Sequence, residues 1–456
     1  MSALSTPSSE LRRTLRFRDL ALLAMGTVIG SGIYLVPSVV LRETGGRTGP
    51  AMLVWVVAGI LSLLGALTYA ELGAMKPEAG GLYAFIRDAY GPLPSFLYGW
   101  TSFVVIASGS VATLAVAFSN YFSQIVPVGP IAARLVAVGV IVVTAAINVR
   151  GARDSATVQN WTTGLKVGAL LAMGAALIAF GHPPRDATTM WPASVTGSLL
   201  TGMGTAMIGV LWAYEGWQYV TFSAGETIDP QRTFPRAITA ATAALIGTYL
   251  LVSYGYIAAL GPGAAAHSDH VAADAVGAVL GPNAAKLVGA LILVSIFSAT
   301  NGLLLTAPRM YYAMARDGVF FERLASVDPR FGTPAVAILA IAAWAAVLAI
   351  SGTFEQLLTY VVFTGWIFYG LGGLAVLTLR RTEPNAPRPF RVPGYPVTPL
   401  LFVASAAMLV ANTVIAQPAR AAAGLGAMML GMPAFYLWRV RSRRQAVPPT
   451  PNPKDN

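Results

Sequence analysis

The chain has 456 residues, of which 55% are hydrophobic and only 11% charged, and its mean hydropathy is +0.64. A soluble domain carries about 25% charged residues, so the composition excludes an ordinary soluble protein and points to an integral membrane protein built from helices. There is no cysteine, which excludes structural disulfides, thiolate metal sites and cysteine nucleophiles. The net charge is +11. It does not call for a nucleic-acid partner, because its distribution along the chain follows a membrane topology.

At roughly 20 residues per crossing, the chain offers twelve apolar segments of spanning length: Asp19–Val40, Ala51–Ala74, Leu93–Phe122, Ile131–Ile147, Thr163–Phe180, Leu199–Phe222, Ala237–Leu260, Lys286–Tyr312, Thr333–Ile350, Leu357–Leu379, Val397–Ala416 and Ala421–Trp438. The third is long enough to tilt. The first outruns the h-region of a signal peptide and lacks an A-x-A cleavage site. With the N-terminus placed inside and the loops alternating, 23 basic residues fall on the cytoplasmic side. Only Arg42, Arg47, Arg134, Arg185, Lys286 and Arg420 fall outside, and Lys166 lies within a span. The bias places both termini in the cytoplasm. All three histidines, His182, His267 and His270, lie in outer loops, so no histidine proton relay crosses the membrane. The stretches 1–15 and 441–456 read as polar or Pro-rich tails.

The first span carries Gly30-Ser31-Gly32 at its centre. Each Gly costs roughly 1 kcal/mol against Ala in a helix interior. Backbone freed in hydrocarbon is tolerated only where it lines a cavity or finds partners. Two half-helices joined by this hinge therefore imply a binding site made of bare backbone near the bilayer midplane. Its N–H groups and the positive end of the following half-helix suit a carboxylate, and Ser31 adds a hydroxyl donor. Close helix packing through Gly26-x-x-x-Gly30 is the bland alternative. A matching break in the sixth span, Trp212-Ala213-Tyr214-Glu215-Gly216-Trp217, favours the binding reading. There, exposed carbonyls suit an ammonium group and the aromatics shape or gate a pocket. The two breaks lead two five-helix halves of opposite orientation, 16–180 and 195–380, followed by a loop and helices eleven and twelve in 381–440.

Glu215 is a carboxyl group near the bilayer centre, costly and therefore functional by default. Its role stays open among substrate ammonium, substrate side chain and proton. For Lys166, one turn into the fifth span, two readings stand level: snorkelling to the cytoplasmic interface, or a fixed cation that bridges to the first span where a sodium ion would otherwise bind. Glu71, Glu226, Asp229, Arg309, Arg316 and Asp317 mark cytoplasmic span ends and read as ion pairs of an inner gate or loop tether. Asn301, Thr306 and Thr364 read as polar glue between helices. Tyr360, Trp366 and Tyr369 read as packing. No G-x-x-x-x-G-K-[ST], H-E-x-x-H or G-x-S-x-G occurs, so neither ATP hydrolysis nor intramembrane hydrolysis has support, and no cofactor or metal is called for. A channel should show a continuous polar stripe and a receptor a sizeable output domain. Neither is present in the sequence.

Several segments together resemble the amino acid–polyamine–organocation superfamily, and within it the bacterial L-type amino-acid transporter-like branch. Gly30-Ser31-Gly32-Ile33-Tyr34 is similar to its substrate-binding break. Tyr69-Ala70-Glu71-Leu72-Gly73-x-Met75-x-Pro77-x-Ala79-Gly80-Gly81-x-Tyr83 is similar to its loop between spans two and three. Asp229-Pro230-Gln231-Arg232-Thr233-Phe234-Pro235-Arg236-Ala237-Ile238 resembles the loop after span six. Asn301-Gly302 with Pro308-Arg309-Met310-Tyr311-Tyr312-Ala313-Met314-Ala315-Arg316-Asp317-Gly318 resembles the end of span eight, and Arg388-Pro389-Phe390-Arg391-Val392-Pro393-Gly394-Tyr395-Pro396 the loop before span eleven.

The resemblance implies an all-α fold of twelve transmembrane helices in a LeuT-type 5+5 inverted repeat with helices 1 and 6 broken. It implies sodium-independent amino-acid transport, with exchange of neutral L-amino acids by alternating access as the leading expectation. Proton-coupled import, or exchange of cationic amino acids or polyamines, is the alternative. It implies that the substrate contacts Ile29, Gly30, Ser31, Gly32 and Ile33 of the first break and Trp212, Ala213, Tyr214, Glu215 and Gly216 of the second, with the ammonium on carbonyls near Ile29 and Trp212–Tyr214. Coupling or gating falls to Lys166, Glu215 and Trp217. Relatives carry Asp, Gly or Ser where this chain has Glu215, so side-chain preference does not carry over. The animal branch attaches a heavy chain through an extracellular cysteine. This chain has none, so the expectation is a stand-alone, monomeric carrier in a bacterial inner (plasma) membrane, its partners the lipid bilayer and a small amino-acid substrate.

Overall fold

A computed structural model describes residues 13–182, 190–352 and 354–445. The outermost parts of both predicted tails, 1–12 and 446–456, and residues 183–189 of the loop after the fifth span lie outside the described residues. Among those described, the chain is helical throughout, with a single isolated β-bridge between Leu15 and Thr227. Among the described residues, nine helices are long and apolar enough to cross a membrane, or ten if the bent pair Phe17–Val28 and Gly32–Glu43 is one span. Two more predicted spans correspond to 17-residue apolar helices, Gly197–Ala213 and Ala335–Ser351. The first of these stops at the predicted sixth-span break.

Local sequence explains where the helices begin and end. Proline opens helices at Pro92, Pro130, Pro230, Pro282 and Pro418, where its missing N–H would be unpaired anyway. Gly261 and Gly281 close the preceding helices with φ of 76° and 86°, a conformation that only glycine adopts without strain. The predicted third span is a 34-residue run, Pro92–Ile125. It contains a π-helical turn at Ser102–Ile106, a local widening frequently found at functional sites.

The surface is inverted relative to a soluble protein. Leu135, Trp161, Leu287 and Ile415 are each at least 66% exposed, as a lipid-facing belt requires. Polar side chains turn inward instead. Asn148, Ser155, Gln159 and Asn301 form a buried hydrogen-bonded group joining three helices: Asn148 Nδ2 donates to Asn301 Oδ1 at 3.0 Å, Asn301 Nδ2 to Gln159 Oε1 at 3.0 Å and Ser155 Oγ to Asn148 Oδ1 at 2.7 Å. This is the glue expected of Asn301. Thr306 and Thr364 instead bond carbonyls of their own helices.

The span ends that carry the charged loop residues are tied by ion pairs. Arg309 donates to Glu226 at 2.6 and 3.3 Å with both side chains buried. Arg87 and the Tyr83 hydroxyl meet Asp317 at 2.7 and 2.8 Å. Glu71 accepts from Arg380 at 2.6 Å and from the Val392 N–H at 2.7 Å. Arg316 donates to the Tyr312 hydroxyl. Asp229 does not join these pairs; it precedes the helix Pro230–Leu260 with a left-handed backbone. The last residues of the predicted N-terminal tail are ordered. Leu15 is fully buried, its N–H donates to the Glu226 carbonyl, and its own carbonyl accepts from Ile228.

Breaking a buried ion pair from one side leaves the other charge uncompensated, at about 3–5 kcal/mol. Arg309→Ala is therefore expected to lower the melting temperature of the detergent-purified protein markedly, while Arg309→Met combined with Glu226→Leu recovers most of it. An unchanged melting temperature in Arg309→Ala would show that the pair holds nothing together.

Candidate functional site

The first span bends by 49° at residues 29–31. A helix cannot be resumed after a break without leaving its first N–H groups unpaired. Among the described residues no acceptor meets the N–H of Ser31, Gly32 or Ile33, and the buried Ser31 Oγ has no partner either. The break thus presents a cluster of free donors at the N-terminus of Gly32–Glu43, where the helix dipole also favours negative charge.

The second break faces the first. After Ala213 the chain makes a turn through Tyr214 and Glu215, and Gly216 takes φ of 133°. A Cβ there would lie 3.0 Å from the Thr27 backbone, so only glycine allows this approach. Thr27 Oγ1 donates to the Gly216 carbonyl at 3.1 Å, which ties the two breaks together. Gly32 packs as closely on Ala213, where an added Cβ would sit 3.0 Å from the Ala213 Cβ. The Trp212 carbonyl accepts from Tyr214 and Glu215. No donor among the described residues meets the carbonyls of Ala213 and Tyr214.

Between the breaks lies a cavity with ≈590 Å³ of empty space. Gly30, Ser31, Gly32, Trp212, Ala213, Glu215 and Gly216, all singled out in the sequence, line it. So do residues the sequence reading missed: Ser110, Thr113 and Leu114, from beyond the π turn of the third span, with Tyr219, Leu303 and Val361. Four expected site residues point elsewhere. Ile29 and Ile33 are buried in the surrounding core. Tyr214 packs on Trp55 and Tyr249 with ring centroids 5.8 and 5.1 Å apart. Trp217 packs edge-on against Tyr69 at 5.2 Å.

Lys166 does not snorkel. It is fully buried, and its Nζ donates to the carbonyls of Ile29 at 2.7 Å, Gly26 at 2.8 Å and Ser295 at 3.3 Å. The lysine amine thus joins the end of the first half-helix to the fifth and eighth spans. Burying an ammonium costs several kcal/mol unless its protons are satisfied, and here all three have acceptors. Ser295 Oγ donates to the Ile29 carbonyl at 3.0 Å and the Gly30 carbonyl at 3.2 Å. The Ile29 carbonyl is therefore already held by two donors. Ser295 escaped the sequence reading, although Ser295, Ser298 and Asn301 recur at helical spacing in an apolar span, which marks a buried polar face.

Glu215 is held by two residues that read as packing in the sequence. Trp366 Nε1 donates to its Oε2 at 3.2 Å and the Tyr369 hydroxyl to its Oε1 at 3.0 Å. Nothing local signals this pairing, because 151 residues separate Trp366 from Glu215.

An amino acid permease family model matches residues 15–435. The human b(0,+)-type amino acid transporter 1 is 32% identical over 428 residues, covering 91% of this chain and 86% of that protein. The human cystine/glutamate transporter is 30% identical, covering 92% of this chain and 84% of that protein. The serine/threonine exchanger SteT of Bacillus subtilis is 28% identical, covering 91% and 94%. The chain belongs to the amino acid permease family of the amino acid–polyamine–organocation superfamily. It is a multi-pass membrane transporter and not an enzyme. Without cysteine it cannot form a disulfide link to a partner chain.

Proposed function

We propose that this protein is a sodium-independent exchanger of neutral L-amino acids that works by alternating access. All twelve apolar segments would cross a bacterial plasma membrane, both termini inside. Residues 16–180 and 195–380 would form the two inverted halves, with 381–440 outside the repeat. The observation that carries this reading is the pair of facing breaks. Free N–H groups and the Ser31 hydroxyl suit a carboxylate, and the open carbonyls of Ala213 and Tyr214 suit an ammonium group. The commitment of the Ile29 carbonyl to Lys166 and Ser295 supports an ammonium seat on the sixth-span carbonyls instead. Lys166 supports sodium independence, since its ammonium occupies the carbonyls of Gly26, Ile29 and Ser295 that a sodium ion would need. SteT, by its name an exchanger of two neutral amino acids, supports both exchange and neutral substrates.

For the side chain, the cavity offers Ser110, Thr113, Val28, Leu114, Leu303 and Val361, hydroxyl and methyl groups that suit a small neutral residue. Glu215 supports a second reading, a cationic substrate, since it is the acidic residue lining this cavity. Against it, both carboxylate oxygens are already engaged by Trp366 and Tyr369. Glu215→Gln is expected to leave neutral uptake within about tenfold, because the net worth of a hydrogen bond is about 0.5–1.5 kcal/mol and every 1.4 kcal/mol is about tenfold. Complete loss of neutral uptake would make the charge or its proton essential, and would favour proton coupling.

The reading of the zwitterion head is tested by competition. Uptake of labelled L-serine should be inhibited by other neutral L-amino acids. It should not be inhibited by the matching amines without a carboxylate, nor by carboxylic acids without an amine. Equal inhibition by either truncated series would remove the two-break seat.

A further inference from the structure

A second cavity lies on the far side of the Gly32–Glu43 half-helix, with ≈1050 Å³ of empty space and no lining residue in common with the central one. Its floor is formed by Tyr34 and Ile292, which are buried, and its rim by Gln124, His270, Asp274 and Lys286, which are exposed. The Tyr34 hydroxyl is buried without a hydrogen bond. Ser295 is its neighbour; the Ser295 proton goes to the Ile29 and Gly30 carbonyls, so only the Ser295 Oγ lone pair faces the phenol. A buried phenol without a well-formed hydrogen bond is costly, and this one lines an open cavity. On the rim, Lys286 takes part in no ion pair among the described residues. Asp274 accepts from Ser268 through Oδ2 at 2.6 Å and keeps Oδ1 open.

One free cation, one partly free carboxylate and an apolar, phenolic floor complement an α-amino acid. Lys286 matches the carboxylate, Asp274 the ammonium, and the floor the side chain. We propose that this cavity is a second amino-acid site, a low-affinity dock on the outer face that receives the zwitterion before it reaches the break. It rests on the reading that residues 262–286 face outward and that the central cavity is the transport site. Exposed charges are screened by water and contribute little each, so the site attracts and concentrates substrate without holding it tightly. Tyr34 stands two residues beyond Gly32, so an occupant of this dock touches the same half-helix that carries the central donors.

The absence of cysteine makes the test direct, because a single introduced thiol is the only one. Ala273→Cys, or Ala285→Cys should the first fold poorly, places it in the cavity lining. Its labelling by a membrane-impermeant maleimide is followed in right-side-out vesicles. The probe is an equimolar mixture of L-serine, L-leucine and L-lysine. At about ten times the Kd of the dock, labelling should slow about tenfold. The protection should persist with Ser31→Leu added and disappear with Lys286→Ala added. Unchanged labelling would overturn the proposal. So would protection that Ser31→Leu abolishes and Lys286→Ala leaves intact, since the thiol would then report only closure over the central seat. Labelling only after permeabilisation would reverse the sidedness and remove the dock with it. An error in the central seat shows separately, as transport by Ser31→Leu itself.

Discussion

Lys166→Ala is expected to cut transport at least tenfold while the protein still reaches the membrane. The substitution removes an ammonium that donates to three carbonyls on two other helices. Hydrogen bonds to a charged group are worth about 1.5–3 kcal/mol, and every 1.4 kcal/mol is about tenfold in an equilibrium. The Ile29 carbonyl keeps Ser295, but the Gly26 carbonyl loses its donor, so the end of Phe17–Val28 is no longer fixed to the fifth span. Transport measured in vesicles, normalised to protein present, decides it. Normal transport by Lys166→Ala would leave the lysine a purely structural residue. Uptake that becomes sodium-dependent in the variant would support the idea that the ammonium stands in for the ion.

Ser31→Leu is expected to abolish transport with folding retained. Ser31 borders the central cavity and its hydroxyl has no partner to lose. The larger side chain therefore fills the cavity at the free N–H groups instead of disrupting the core. Gly30→Val should act the same way. An alanine at Gly30 is tolerated sterically, since its Cβ would meet only Leu114 Cδ2 at 3.6 Å, and should be the milder change. Size-exclusion profiles check the folding, and uptake checks the function. Wild-type uptake by both bulky variants would remove the carboxylate from this break.

Much of this was legible in the sequence because hydrocarbon forbids unpaired backbone. Gly30-Ser31-Gly32 and Glu215-Gly216 stand out against apolar helices for that reason. The two breaks do come together, at Thr27–Gly216 and Gly32–Ala213. Lys166 was undecided on sequence alone, since one turn of helix separates a snorkelling lysine from a buried one. Its three carbonyl partners, each more than a hundred residues away along the chain, have no local signature. Trp366 and Tyr369 were hidden because aromatic residues in a span are ordinary packing until a carboxylate is set beside them. The N-terminal pairing at Leu15 was hidden because a short bridge needs only one buried leucine and a few backbone hydrogen bonds. Ser110 and Thr113 were missed because a π turn changes the face they present, and no residue in Ser102–Ile106 announces one.

The account stands most directly on counterflow in liposomes free of sodium. Purified protein is reconstituted with choline as the only external and internal monovalent cation, and uptake of labelled L-serine is followed with and without unlabelled L-serine inside, at pH 6 and pH 8 (about two units apart, spanning the range in which a proton gradient would matter). Internal amino acid should accelerate uptake strongly at both pH values. Uptake into empty liposomes should stay low even with a proton gradient imposed. Uptake that needs sodium, or that a proton gradient drives into empty liposomes, would contradict sodium-independent exchange.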